Sequence, residues 1–400
     1  MKVQLPQVFK HRIHIPFMRG HFLLQLFGMS IVLGLSSFII FIYKGQRDRS
    51  QVEVNQIAVD YHRVIAELDS MRNEDQFVKN ASLSAQIGNI EKTYGQAVVD
   101  YEALVDIHRL TKDTAKYDAQ FAIILSLLSK REWASASSSL ATLKATLEKA
   151  KIDLSTAFVI PANVVESNTA PSGGFKRQSV KIDLGAFLVD IVAADMGSTK
   201  IIVDTASQET CNNDCSVLSL GDYVSRNDAF AGINGSYFCP ADYPSCADKK
   251  NSFDTLLMNK NKTYFNSDNN VYSTVPAVIF LSGSMRFVGQ SLQWGRDTGV
   301  DGVLANQPIV LSGGNVAFGG DGDPKKGSRG LRSFVGNKGS TAYIGVVHNA
   351  TVAEVGHVLK ALGLDNALNL DSGGSTALWN GGYKAGPGRN IPNAILFVRK

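Results

Sequence analysis

From Gln46 to Ile160 the chain has no proline and only two glycines, Gly88 and Gly95, over more than a quarter of its 400 residues. Lacking those breakers, the region excludes a turn-rich β domain and favours helices. Residues 1–21 lack any acid and carry Lys2, Lys10, Arg12 and Arg19, so the whole formal net charge of +4 sits in this tail. The rest of the chain is balanced, which excludes a basic nucleic-acid-binding domain. Phe22 to Tyr43 has no charge at all. Cysteine is scarce, and no histidine lies in the window that holds all four, Cys211, Cys215, Cys239 and Cys246.

The uncharged run FLLQLFGMSIVLGLSSFIIFIY meets the roughly 20 apolar residues that a helix needs to cross about 30 Å of hydrocarbon. A cleavable signal would have a shorter apolar core and a small-residue cleavage site, and none precedes Lys44. An uncleaved single-pass anchor is expected over 22–43. The basic tail at 1–21 is expected on the cytoplasmic side, and the C-terminal part outside the cytoplasm. The cysteines fit that compartment, since an even, closely spaced set suits two disulfides. Zinc is the rival, although neither pair has C-x2-C spacing; free thiols are the third option. The local pairing 211–215 and 239–246 is the first of three possible ones.

Between 46 and 160 the apolar positions step as a seam. Val54, Ile57, Tyr61, Val64, Leu68 and Met71 advance by 3, 4, 3, 4, 3, the rhythm of a packed helix. Leu83, Ile87, Ile90, Tyr94, Ala97, Tyr101 and Leu104 repeat it, followed by Tyr117, Phe121, Ile124 and Leu128, then Leu140, Leu143 and Leu147. Breaks are expected near Asn80 and at Ser129–Arg131. The segment reads as a helical bundle or coiled-coil stalk with a spacing or homo-oligomerising role.

Residues 161–177 hold two prolines and two glycines and read as a linker. Thirty of the 36 glycines follow from Gly173 onward. Short β-branched runs there predict strands at Val180–Ile182, Lys200–Val203, Val275–Leu281, Gly302–Leu304, Thr341–Val347 and Ala394–Val398, with one helix from Val352 to Leu362 stopped by Gly363. The expected fold class is α+β: a C-terminal domain at 178–400 with a large mixed β-sheet and a few helices, behind the anchor and stalk.

Three segments carry candidate chemistry. Ala367 to Leu378 runs as an apolar strand into Asp371 and then Ser372-Gly373-Gly374-Ser375-Thr376. The paired glycines and the Ser375 and Thr376 hydroxyls suit an anion-binding nest facing the Asp371 carboxylate. A plain tight turn has the same residues, and the lysine of a Walker loop is missing. Ala231–Phe238 is a second strand into a polar turn, with Asn234 and Gly235 placed for a sugar hydroxyl or phosphate oxygen, or simply for the turn. In Arg329–Gly336, Arg332 and Ser333 open a strand, where an arginine can fork a phosphate or sit as a surface charge.

Together, and in this order, these motifs resemble the phosphodiester glycosidase family over roughly 180–400. Asn234-Gly-Ser-Tyr-Phe238 resembles the family's Asn-Gly-Gly/Thr-Phe/Tyr-Phe turn. Leu331-Arg-Ser-Phe-Val-Gly336 is similar to Pro-Arg-Thr-Ala-x-Gly. Asn369 to Thr376 is similar to Asn-Leu-Asp-Gly-Gly-Gly-Ser-Ser/Thr, with Ser372 at the first glycine. Arg389-Asn-Ile-Pro-Asn393 is similar to the closing Arg-x-Val-x-Asn. The chain departs at Val347-His348-Asn349-Ala350, where relatives carry Asp-Gly-Arg, so His348 stands either as the substitute base or ligand or as a strand-end histidine with neither role.

The resemblance implies a membrane-anchored extracytoplasmic hydrolase of sugar-1-phosphodiesters in envelope glycopolymer or polysaccharide metabolism. Asp371, Arg332 and His348 would be catalytic. Asn234, Gly235, Ser333, Gly373, Gly374, Ser375, Thr376, Arg389 and Asn393 would bind substrate. Cleavage passes through an oxocarbenium-like state, and its phosphate leaving group needs cationic donors more than a proton. The expected partners are the membrane and a glycan or sugar phosphate. No cofactor is expected; calcium is the one metal kept open, at Asp321-Gly-Asp-Pro324, which lacks the rest of a calcium loop. A glycan-binding scaffold that has lost turnover is the alternative of another class.

Overall fold

The structure, a computed structural model, describes residues 19–73, 75–268 and 274–400, the side chains of 19–27, 30–32 and 75 excepted. The chain forms two compact units, Met1–Gly88 and Asn89–Lys400. Four long helices come first: α1 (Arg19–Arg72), α2 (Asp75–Leu110), α3 (Ala115–Ser129) and α4 (Trp133–Thr156). The break expected near Asn80 is absent, because α2 runs through it. Asn80 is exposed there, and an exposed asparagine weakens a helix without ending it. The break at 129–131 is present, with Arg131 at φ 62°.

Among the described residues no helix is long and apolar enough to cross a membrane. Much of the expected span at 22–43 lies outside the residues whose side chains are described. In the first unit Val54, Ile57, Tyr61, Val64, Leu68 and Met71 stand exposed. In the second unit Ala97, Leu104 and Ile107 of α2 meet Tyr117, Phe121, Ile124 and Leu128 of α3 and Leu140, Leu143 and Leu147 of α4, whereas Leu83, Ile87, Tyr94 and Tyr101 of the second expected seam stand exposed. Three to five buried apolar side chains per helix, removed from water at about 25 cal/mol per Å2, hold three helices that carry no strong local stop signal.

The second unit continues into three sheets in place of the single mixed sheet expected. The first has seven strands in the order β1-β2-β13-β12-β14-β10-β11. Their ranges are β1 Gly174–Ile182, β2 Gly185–Asp195, β10 Ile309–Ser312, β11 Asn315–Val316, β12 Gly330–Lys338, β13 Thr341–Ala350 and β14 Asn366–Asn369. The second runs β16-β15-β4-β17-β3, comprising β3 Thr199–Thr205, β4 Ala231–Asn234, β15 Leu378–Asn380, β16 Tyr383–Ala385 and β17 Asn393–Arg399. The third runs β6-β5-β9-β7-β8, comprising β5 Leu257–Met258, β6 Tyr264–Phe265, β7 Ala277–Leu281, β8 Ser284–Val288 and β9 Gly302–Ala305. Every strand ladder among the described residues is antiparallel. Hairpin connections such as Asp183–Leu184 between β1 and β2 are too short for the crossover a parallel pair requires.

The main core lies between one face of the seven-stranded sheet and the other two sheets. Val192, Val335, Ile344 and Leu368 meet Val203, Ile233, Leu257, Phe280 and Ile395 there. The opposite face carries Ile191, Phe334 and Ala367 and is covered by helix α5, Val352–Ala361, through Val355, Val358 and Leu359. Thr351 caps α5 by accepting from the Glu354 N–H (3.2 Å), and the Glu354 carboxylate accepts in return from the Thr351 N–H (2.8 Å). Gly363 follows at φ +77°, the left-handed stop anticipated from sequence. Both disulfides are the local ones, Cys211–Cys215 and Cys239–Cys246.

Candidate active site

The site forms where β4, β12 and β14 end together. Asp371 lies two residues past β14. Its N–H donates to the Gly235 carbonyl (2.9 Å), and the Asn234 Nδ2 donates to the Asp371 carbonyl (2.6 Å). Asn234 Oδ1 accepts from the Ser333 hydroxyl (2.9 Å) and from the Ala377 N–H (3.1 Å). Asn234 and Ser333 are 0% exposed. Both were anticipated at the substrate, yet their polar atoms are engaged inside the protein, so they position the Asp371 loop. Gly235 and Asn393 act the same way. A Cβ at 235 would lie 1.9 Å from Asn393 Oδ1, and that oxygen accepts from the Ser236 N–H (2.9 Å).

Asp371 is set where burial opposes its ionisation. Burial pushes its carboxyl up to about 7, against the Ser375 hydroxyl, the Ser372 N–H and the more distant charges of Lys325 and Arg332. The Ser372 N–H lies 2.8 Å from Oδ1. Part of the residue's surface remains accessible, so a reactant can reach a group that is half protonated near neutrality. Tyr237 stands beside it, its hydroxyl held by Asn369 Nδ2 (2.6 Å) and pushed upward by burial and the Asp371 charge. Two buried oxygens here, Asn369 Oδ1 and Thr376 Oγ1, have no hydrogen-bond partner.

The glycine loop is a short 3-10 turn, Gly373–Ser375, with Gly373 at φ +62°. The Ser375 and Thr376 N–H groups close back on Ser372 (3.4 Å) and Gly373 (3.1 Å), which leaves the Gly373 and Gly374 N–H groups at the open start of the turn. Two guanidiniums lie against Gly374: a Cβ there would be 2.8 Å from Arg389 Nη2 and 2.8 Å from Arg109 Nη1. The Arg389 N–H donates to the Gly374 carbonyl (2.9 Å), and its guanidinium rests over the Tyr243 ring at 5.1 Å. Both arginines thus meet the glycine turn that directly follows Asp371.

Residues 227–398 match the phosphodiester glycosidase family. The segment takes in every site residue from Asn234 to Asn393. The chain is also similar to the catalytic domain of zebrafish N-acetylglucosamine-1-phosphodiester alpha-N-acetylglucosaminidase, in a structure auto-inhibited by its pro-peptide. That match is 15% identical and covers 59% of this chain and 87% of that one, with a TM-score of 0.44. A hypothetical protein from Synechocystis is 14% identical over 56% of this chain and 62% of its own, with a TM-score of 0.38. No curated protein matches the sequence.

Two residues expected to be catalytic sit differently within the matched segment. Arg332 is buried; its Nε donates to the Ala350 carbonyl (3.0 Å) and its Nη2 to the carbonyls of Lys325 (2.8 Å) and Ser328. It clamps the turn at 324–328 to the sheet, and burial lowers its pKa. Its charge still bears on Asp371 and Tyr237. His348 bonds Asp190 on β2 (2.9 Å) and stacks on Phe158 (6.1 Å), so the contacts it makes go to a structural cluster. Burial would raise Asp190, but bonds from Arg177 and His348 outweigh it and hold the carboxyl low.

The Asp321 and Asp323 carboxylates, considered for calcium, are paired with Lys326. No group of three or more His, Cys, Asp or Glu side chains suited to a metal occurs among the described residues. Sequence reasoning missed Tyr237 and Tyr243, which stand in turn-like segments with no periodic signal, and Arg109, which lies in a helix outside the matched segment.

Proposed function

We propose that the protein is a membrane-anchored, extracytoplasmic phosphodiester glycosidase that hydrolyses a sugar-1-phosphodiester. The carrying observation is the Asp371 carboxyl, raised to about 7 beside the Gly373–Gly374 turn and Arg389. In this reading the ionised Asp371 takes a proton from water as the water oxygen bonds to the anomeric carbon. The bond from that carbon to the phosphate oxygen breaks, and a phosphate monoester leaves. Arg389 and the Gly373 and Gly374 N–H groups stabilise its charge. Asn234, Ser333 and Asn393 hold the loop in place. The relative named above for an N-acetylglucosamine-1-phosphodiester supplies the first sugar to try.

Anchoring rests on the uncharged run at 22–43 and on the exposure of Met29, Leu33, Leu35, Phe38 and Ile39–Ile42. The extracytoplasmic side is supported by the two disulfides.

The test is direct. The full chain in detergent is incubated with sugar-1-phosphodiesters, and free sugar and phosphate monoester are followed together. Release by the parent protein, reduced about a hundredfold or more in Asp371→Asn, is the expected result. Binding without release across several sugars would establish the glycan-binding alternative.

A further inference from the structure

We infer that Arg109, carried on α2 outside the family-matched segment, pairs with Arg389 to form a two-guanidinium subsite for a phosphate oxygen of the substrate. The inference takes from the hydrolase reading only the identity of the molecule to which that phosphate belongs.

The geometry carries it. Arg109 Nη1 and Arg389 Nη2 approach a single point above Gly374, each at 2.8 Å. Two like charges brought this close repel, and an anion between them would lower that repulsion further than the acids on Arg109 alone. Arg109 is held from behind: Nη1 reaches Asp106 (3.4 Å) and Nη2 pairs with Asp242. Arg389 has no acidic partner among the described residues, and its buried Nε has no hydrogen-bond partner. Tyr243 joins the two arginines, its ring beneath Arg389 and its hydroxyl donating to Asp106 (2.5 Å).

The helix end is fixed to the site as well. Glu102 accepts from the Ser245 N–H (3.0 Å), and the loop bearing Asp242 and Tyr243 is closed by Cys239–Cys246. The side chain of Arg109 is a quarter exposed, so an anion can reach it. A side chain at position 374 would meet both guanidiniums and the Arg109 Cδ at 2.6 Å, so only glycine lets the two arginines close on the turn. A planar fork from each side of a tetrahedral phosphate is a geometry arginine serves and lysine does not. The helices at 89–156 are then part of the catalytic unit, where the sequence suggested a spacer.

Inorganic phosphate binding to the full chain, read by calorimetry, tests this without requiring turnover. Arg109→Ala and Arg389→Ala should each weaken phosphate binding roughly tenfold or more, the loss of a charge-assisted contact. Arg109→Lys should recover only part of it. Asp242→Asn, which removes an acid behind Arg109, should tighten it. Sugar-phosphodiester turnover by Arg109→Ala should show KM raised more than kcat is lowered.

Arg109→Ala binding phosphate like the parent, with an unchanged melting temperature, would overturn the inference. So would faster turnover by that variant, which would make the helix end a plug. If Arg109→Ala does not fold, an unchanged phosphate affinity in Asp242→Asn decides against the subsite. Phosphate binding that depends on Arg109 in a protein with no turnover would sink the hydrolase reading and leave the subsite standing.

Discussion

At the scale of single residues, Asp371 joins chemistry to stability through one carboxyl. It ionises near 7 in the folded protein and at about 3.9 in an unfolded chain. Between those values the folded state keeps a proton that the unfolded state has released, so stability falls as pH rises across this window. The same ionisation makes the base, so kcat/KM should rise with pH through about 7. Asp371→Asn removes both effects. It should flatten the pH profile of residual activity and melt higher than the parent at pH 8, by about 1–3 kcal/mol, a figure kept small because the carboxyl is partly accessible. At acidic pH the two proteins should melt alike. Coincident melting curves at pH 8 would mean that the carboxyl is not raised. The residue itself was legible in the sequence, since a strand ending on an aspartate before two glycines is a local pattern. Its shifted ionisation was not, because burial comes from strands distant in sequence.

At the scale of elements, the site depends on three strand ends that one asparagine ties together. Asn234 closes β4 and bonds to Asp371 after β14, Ser333 in β12 and Ala377 before β15. Asn234→Ala would leave buried donors and an acceptor unpaired, a cost of about 2–4 kcal/mol. Urea denaturation should show that loss, with turnover falling further than stability alone explains because the Asp371 loop is released. A loss of stability under 0.5 kcal/mol would show that water replaces the amide. Five of the six strands anticipated from β-branched runs fall within observed strands, and the sixth, Val275–Leu281, starts two residues before β7, since alternation and flanking turns are local signals. The stop at Gly363 was legible for the same reason. The turn at 111–114 was not, because Thr111-Lys-Asp-Thr114 carries neither glycine nor proline. The hydroxyl of Thr114 bonds Asp118 (2.9 Å), a contact that no periodicity reveals.

At the scale of the whole molecule, the two units use the same 3-4 rhythm for different ends. In the second unit the seams of α2, α3 and α4 bury one another, so their apolar residues already have partners. In the first unit Val54, Ile57, Tyr61, Val64 and Met71 are more than half exposed, and Leu68 is 40% exposed. A continuous seam at this spacing is the pattern of a coiled coil, and a second copy of the same helix is its natural complement. We propose that the full chain self-associates through it. Sedimentation in detergent should give a dimer or higher species, and Ile57→Asp with Leu68→Asp should yield the monomer, since each aspartate would be desolvated in an apolar seam. Turnover should be unchanged in the monomer, because Asp371, Arg389 and Arg109 all lie in Asn89–Lys400. A parent protein that is monomeric throughout would remove the second copy as the partner. Activity lost together with association would mean that the first unit takes part in the reaction, which nothing in the geometry around Asp371 requires.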